Sequence, residues 1–147
     1  MKKKTTLLVM AAGMGSRFGS LKQITPLGPH QKALLHYTVY DAVHAGFDKI
    51  VFVIRESFAK EFIDFVGKYS EGLVETKYCY QSMDRLPGGM PPIEREKPWG
   101  TAHAIWSAKD EINEPFAALN ADDFYGSDAF VKAHDFLANE ANDQEYG

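Results

Sequence analysis

Cysteine is nearly missing from this sequence: Cys79 is the only one in 147 residues. One thiol cannot close an internal disulfide, so a disulfide-stapled secreted scaffold is excluded and a reducing, cytoplasmic setting is expected. Cys79 itself falls in the strand-like run Glu75-Thr76-Lys77-Tyr78-Cys79-Tyr80, where a packed thiol is the expectation. Surplus positive charge is missing too. Lys and Arg total 16 against 20 Asp and Glu, a net charge of -4, which offers no basic surface for a nucleic-acid backbone. No run approaches the ~18 apolar residues of a membrane helix. Met1-Lys2-Lys3-Lys4 followed by Thr5 to Ala12 imitates a secretion signal, but its apolar part is short and the residues beyond it are needed for a glycine loop, so no signal is expected.

What the chain does have is core-forming material, 45% apolar and 13% aromatic, in a length typical of one domain. Leu7 to Ala11 and Lys49 to Ile54 are short apolar runs rich in branched residues, the pattern of central strands covered on both faces of a parallel sheet. Between them Leu35, Val39, Ala42 and Val43 recur at helical spacing, and Gly46 stands where such a helix would end. The unit repeats. Ser57 can cap a helix carrying Phe58, Phe62, Phe65, Val66 and Tyr69 on one stripe, and Leu73 to Gln81 reads as a third strand. A helix from about Thr101 to Glu111 leads to the strand Phe116 to Asn120, and Ser127 can cap a last helix with Phe130, His134 and Leu137 facing inward. This alternation predicts an α/β fold with a doubly wound, mainly parallel sheet and helices on both faces, its ligand site at the carboxyl ends of the strands. Residues 82–98, with Leu86-Pro87-Gly88-Gly89-Met90-Pro91-Pro92, suit neither element and predict a mobile insertion beside that site. The polar close of the chain, after an alternation that stops, predicts a fragment of something longer.

Residues 11–19 read AAGMGSRFG directly after the first apolar run. A tight strand-to-helix turn without ligand is the plain alternative, yet the paired glycines and Arg17 exceed what a turn requires. A dinucleotide fingerprint fits poorly, because Gly13, Gly15 and Gly19 are spaced G-x-G-x-x-x-G and Pro26, Gly28 and Pro29 delay the helix. No Gly-Lys-Ser/Thr closes a Walker loop. There remains a loop whose N–H groups wrap phosphates, with Arg17 gripping two oxygens as a fork and Lys22 adding a point charge. Such a loop suits a nucleoside triphosphate that loses pyrophosphate.

LLVMAAGMGSR at Leu7 to Arg17, with Lys22-Gln23 and Pro26-Leu27-Gly28, closely resembles the opening motif of the nucleotidyltransferases that make sugar nucleotides from a nucleoside triphosphate and a sugar 1-phosphate. Lys97-Pro98-Trp99-Gly100-Thr101-Ala102-His103-Ala104 is similar to that family's Gly-Thr-Ala-His-Ala segment, and Leu119-Asn120-Ala121-Asp122-Asp123-Phe124 to its strand-end acidic motif. The resemblance runs from the first strand through Phe124 and implies a Rossmann-like nucleotidyltransferase fold. It makes Ala11, Ala12, Gly13 and Gly15 nucleotide-binding, with the two glycines wrapping the phosphates. Arg17 becomes the contact to the leaving pyrophosphate and Lys22 the motif lysine, with Lys32 its rival. Gln81, Gly100 and Thr101 would read the base; a glutamine amide offers both a donor and an acceptor to a pyrimidine edge. Helix capping is the alternative role for Thr101. Asp122, at the end of an apolar strand, is the candidate ligand for Mg²⁺ bridging the α-phosphate and a sugar phosphate, beside Asp123, which can instead cap the next segment. His103 and His134 show no metal spacing and are expected to be packed or surface residues.

The implied reaction is in-line attack of the acceptor phosphate on the α-phosphorus, with positioning and charge neutralisation by Arg17, Lys22 and Mg²⁺ and no covalent protein intermediate. Lys22 stands only five residues beyond Arg17, which is closer to the short form seen in cytidylyltransferases of isoprenoid synthesis and guanylyltransferases of molybdenum-cofactor synthesis. A non-sugar phosphate acceptor is therefore the alternative, and a catalytically silent nucleotide-binding regulatory module the reading from outside enzymes. The resemblance leaves homo-oligomer formation open.

Overall fold

The computed structural model describes residues 2–13, 29–30, 32–91, 93–94, 96 and 99–142. Among these, one parallel sheet is built from β1 (Thr6–Met10), β2 (Lys49–Ile54), β3 (Glu75–Tyr80) and β4 (Phe116–Asn120), in the spatial order β3-β2-β1-β4. The helices are α1 (Leu34–Ala45), a helical run over 56–71 (α2), α3 (Thr101–Ser107) and α4 (Ser127–Asp135), the last continued by a wider turn over Phe136–Glu140.

Side chains on a strand alternate between faces, and here both faces are covered. Leu7, Val9, Ile50, Phe52 and Ile54 pack against Leu35, Val39 and Ala42 of α1, Phe62 and Val66 of α2, and Phe130 of α4. On the opposite face Leu8, Val51, Val53 and Cys79 meet Ala104 of α3 and Ala108. That is why β1 and β2 carry continuous apolar runs. Each fully buried Leu, Ile or Phe among them contributes about 1.5–3 kcal/mol, so the two middle strands dominate the fold's stability.

Helix α1 is closed at both ends by local geometry. His36, at the third helical position, accepts the backbone N–H of Ala33 through Nδ1 at 2.9 Å, satisfying a donor that the start of the helix would otherwise leave open. At the other end Gly46 takes φ 107°, and the paired bonds Gly46 N–H to Val43 O and Phe47 N–H to Ala42 O complete a Schellman turn. The expected stop at Gly46 is therefore borne out.

Two expected caps are not. Ser57 lies inside the single 3₁₀ turn Glu56–Phe58 that opens α2, with Arg55 at the N-cap and no side-chain cap. Ser127 is the first residue of α4, because Gly126 occupies the N-cap at φ 83°, a conformation open to glycine and strained for serine. The predicted stripe on α2 holds from Phe62 onward: Phe62 and Val66 are buried, with Phe65 and Tyr69 against the same cluster, while Phe58 lies in the opening 3₁₀ turn outside it. Helix α3 ends at Ser107, short of the expected Glu111, and continues as turns whose N–H groups bond three residues back, such as Glu111 N–H to Ala108 O. Leu73 likewise belongs to the turn before β3, its N–H bonded to Ser70 O.

Candidate functional site

Strand β1 sits between β2 and β4: the chain winds from β1 through β2 to β3 on one side and then returns to β4 on the other side of β1. The connections through α1 and α2 lie on one face; the return through α3 crosses to the other and places β4 on the far side of β1. The carboxyl end of β1 is thus the point where the winding reverses, the place at which open α/β sheets leave a crevice for ligands.

Sequence-predicted residues gather there. The ladder runs one step past each strand: Ala11 N–H donates to Val53 O at 2.8 Å, Gln81 N–H to Ile54 O at 3.0 Å, and Ala121 N–H to Met10 O at 3.1 Å. Ala11 and Ala121 follow the register pair Met10 and Asn120, so Ala12 and Asp122 leave adjacent strands at the same level. Ala11 and Ala12 are buried and Gly13 is exposed, so the chain leaves the packed layer at Gly13. Gly15, Arg17 and Lys22 lie outside the described residues. Lys32, the rival lysine, places its Nζ 4.8 Å from the centre of the Tyr69 ring, a packing role two residues before α1 begins.

Asp122 is exposed, and among the described residues its carboxylate has no hydrogen-bond or ion-pair partner. Asp123 is engaged: its Oδ2 accepts from Asn120 Nδ2 at 3.1 Å and from the Tyr125 hydroxyl at 3.3 Å, which braces the turn after β4. Of the two acids, Asp122 is the one whose carboxylate is not tied into the turn. Among the described residues no three His, Cys, Asp or Glu side chains gather as a metal-binding group. One carboxylate completed by substrate phosphates and water is nevertheless a donor set that suits Mg²⁺, so Asp122 fits the expectation.

Gln81 and Gly100 are 19 residues apart in sequence, yet the Gln81 amide nitrogen donates to Trp99 O at 2.9 Å and lies 3.4 Å from Gly100 O. The same nitrogen is 3.1 Å from His103 Nδ1, and His103 Nε2 donates to Arg85 O at 2.6 Å. Trp99 Nε1 donates to Met83 O at 3.1 Å, so the opening of the 82–98 segment is tied to the start of α3. Arg85 in turn reaches Asp110 at 3.6 Å and lies over the Trp106 ring. Gly100 is the N-cap of α3 and Thr101 its first residue, with no side-chain cap, so the capping alternative for Thr101 does not apply.

His103 is the residue that sequence reasoning missed. It is buried, as expected, but every ring nitrogen is spent on the site. The available signal was a polar ring on a short helix between apolar positions, since such a ring must find hydrogen-bond partners. Cys79 meets expectation: it is buried and unpaired, and burial pushes its thiol up to about 11.

A doubly wound parallel sheet with a strand-end backbone, an amide and an acid gathered at its switch point defines an α/β protein of the Rossmann-like kind, with its crevice where such sheets take ligands. The Nucleotidyl transferase family matches residues 6–146, and the chain belongs to that family. It is 31% identical over 135 residues to a UTP–glucose-1-phosphate uridylyltransferase of Bacillus subtilis (strain 168), covering 84% of this chain and 46% of that protein. A protein of the same name from Staphylococcus epidermidis is 29% identical over 144 residues, covering 87% of this chain and 48% of its own length. Among solved structures, a UDP-glucose pyrophosphorylase complexed with UDP-glucose superposes with a TM-score of 0.61 at 20% identity, over 90% of this chain and 53% of the other. The chain spans about half the length of the curated relatives it matches.

Proposed function

We propose that the protein carrying this chain transfers a nucleoside monophosphate from a nucleoside triphosphate to a sugar 1-phosphate and releases pyrophosphate, and that this chain supplies the nucleotide-binding part. The observation that carries the reading is the convergence of Ala11-Ala12-Gly13, Gln81 and Asp122 on the carboxyl end of the sheet in a member of the Nucleotidyl transferase family. The names of its uridylyltransferase relatives support the sugar 1-phosphate acceptor.

In this reading the backbone from Ala11 through Gly15 wraps the phosphates, and Arg17 and Lys22 neutralise the leaving pyrophosphate. Gln81, with Gly100 and Thr101 beside it, faces the base. Asp122 would hold Mg²⁺, which when bound offsets charge on the phosphate oxygens. The reaction belongs in the cytoplasm, where a lone buried thiol such as Cys79 stays reduced.

Pyrophosphate release, measured with Mg²⁺, glucose 1-phosphate and each of UTP, dTTP, CTP, GTP and ATP, tests the proposal. Release with one or two of the nucleotides is expected, cut about 100-fold by Arg17→Ala, since a donor aimed at developing charge carries that much of a rate. Nucleotide binding without release against any sugar 1-phosphate would contradict it and leave the regulatory module.

A further inference from the structure

The hydrogen bonds around Gln81 end on backbone carbonyls at both sides, and carbonyls only accept. At one end Arg85 O, 2.6 Å from His103 Nε2, requires the ring proton on that nitrogen. A neutral ring then has a bare lone pair on Nδ1, which accepts from the Gln81 amide nitrogen at 3.1 Å. At the other end Trp99 O, at 2.9 Å, and Gly100 O, at 3.4 Å, require that same nitrogen to face them. The amide has two hydrogens and three acceptors, so its donor side is fully spent. A flipped amide would set its oxygen against two carbonyls and a lone pair. Its carbonyl oxygen, by contrast, has no hydrogen-bond donor among the described residues.

We infer that His103 is a positioning residue that latches the Gln81 amide, so that Gln81 offers an incoming base only its Oε1 acceptor. This rests on Gln81 as the base contact proposed above. An acceptor aimed at ring position 3 pairs with the N3–H of uracil or thymine, whereas cytosine presents a lone pair at that position and is repelled there. Without His103 the amide keeps one firm anchor, Trp99 O, and its polarity is less strictly enforced. Base choice therefore depends on a ring that need not touch the base.

The test uses calorimetric titration of the wild-type chain, His103→Leu and His103→Asn with UTP, dTTP and CTP in Mg²⁺, together with the ¹⁵N shifts of the His103 ring in the wild type. The asparagine carbonyl oxygen stands as many bonds from Cβ as Nδ1 does, so it can accept from Gln81 while losing the Arg85 link. Expected are a wild-type preference for UTP and dTTP over CTP, a loss of about tenfold of that preference in His103→Leu, the scale of one neutral hydrogen bond, and its retention in His103→Asn. The ring is expected as the neutral Nε2–H tautomer. A wild-type preference for CTP, an Nδ1–H ring, an unchanged preference in His103→Leu, or equal loss in both variants would overturn the latch while leaving the nucleotide site standing. The ring shifts decide the matter even if a variant fails to fold. A wild-type chain that binds none of the three nucleotides would overturn the latch and the base-contact reading together.

Discussion

Gly46 and Gly67 each do something no larger residue could do in their places. Gly46 turns the chain at φ 107°, and a Cβ there would meet His134 Cε1 and Nε2 at 3.0 Å. Gly46→Ala should therefore lower stability by about 1–2 kcal/mol, read as a lower urea midpoint with unchanged slope. Gly67 has ordinary helical angles, but its Cβ would stand 2.2 Å from the Tyr78 hydroxyl oxygen and 2.9 Å from Cζ. Gly67→Ala should cost more, about 2–3 kcal/mol, because β3 and α2 must part to admit it. Gly46 was legible in the sequence, since it follows a helical stripe and precedes a strand. Gly67 was not, because its constraint is a ring 11 residues later on another element.

His36 adds a pH dependence at the same scale. Burial is the main cause that lowers its pKa, outweighing the opposing hydrogen bonds in which Nε2–H donates to Phe65 O at 2.9 Å and Nδ1 accepts from Ala33. A histidine kept neutral in the fold leaves the unfolded chain binding more protons as pH falls through its ordinary value of 6.5. Stability is thus fully present above that value and declines below it, until the ring titrates in the folded protein too. Urea midpoints between pH 8 and pH 5 should fall for the wild-type chain and fall less for His36→Gln.

Among elements, the strands were the most legible. Central strands buried on both faces must be apolar throughout, and β2 appears over the expected residues, as does the edge strand β4. Helix ends were less legible. Gly126 took the cap that Ser127 suggested, and α2 opens through a 3₁₀ turn and widens to a π turn at Ile63–Gly67, features that depend on local backbone choices and on contacts such as Gly67 with Tyr78. The strand-end position of Asp122 was readable from its motif. The role of His103 was not, because its partners Gln81 and Arg85 lie 22 and 18 residues away, beyond a proline-rich segment. Only folding shows that the opening of that segment bends back onto α3.

At the scale of the molecule, protection should follow the layering. The amides of β1 and β2, flanked on both sides and covered on both faces, should exchange slowest with deuterium. β4 pairs only with β1 among the described residues, and Phe116 on it is 38% exposed, so amides on its outer edge should exchange fastest within the sheet. A mass-spectrometric exchange series resolves the two sets. Every described residue that converges on the candidate site comes from a strand end or from the start of α3, all supported by these two cores.

The central claim, that the carboxyl end of this sheet binds a nucleoside triphosphate, is tested most directly by fluorescence titration. Trp99 and Trp106 both lie against His103, with ring centres 6.1 and 5.5 Å away, so they report on that site. With Mg²⁺ and each of the five triphosphates, a saturable change with one or two of them, weakened by Arg17→Ala, is the predicted result. A chain shown by hydrogen exchange to be folded, yet giving no response to any of the five, would contradict the account.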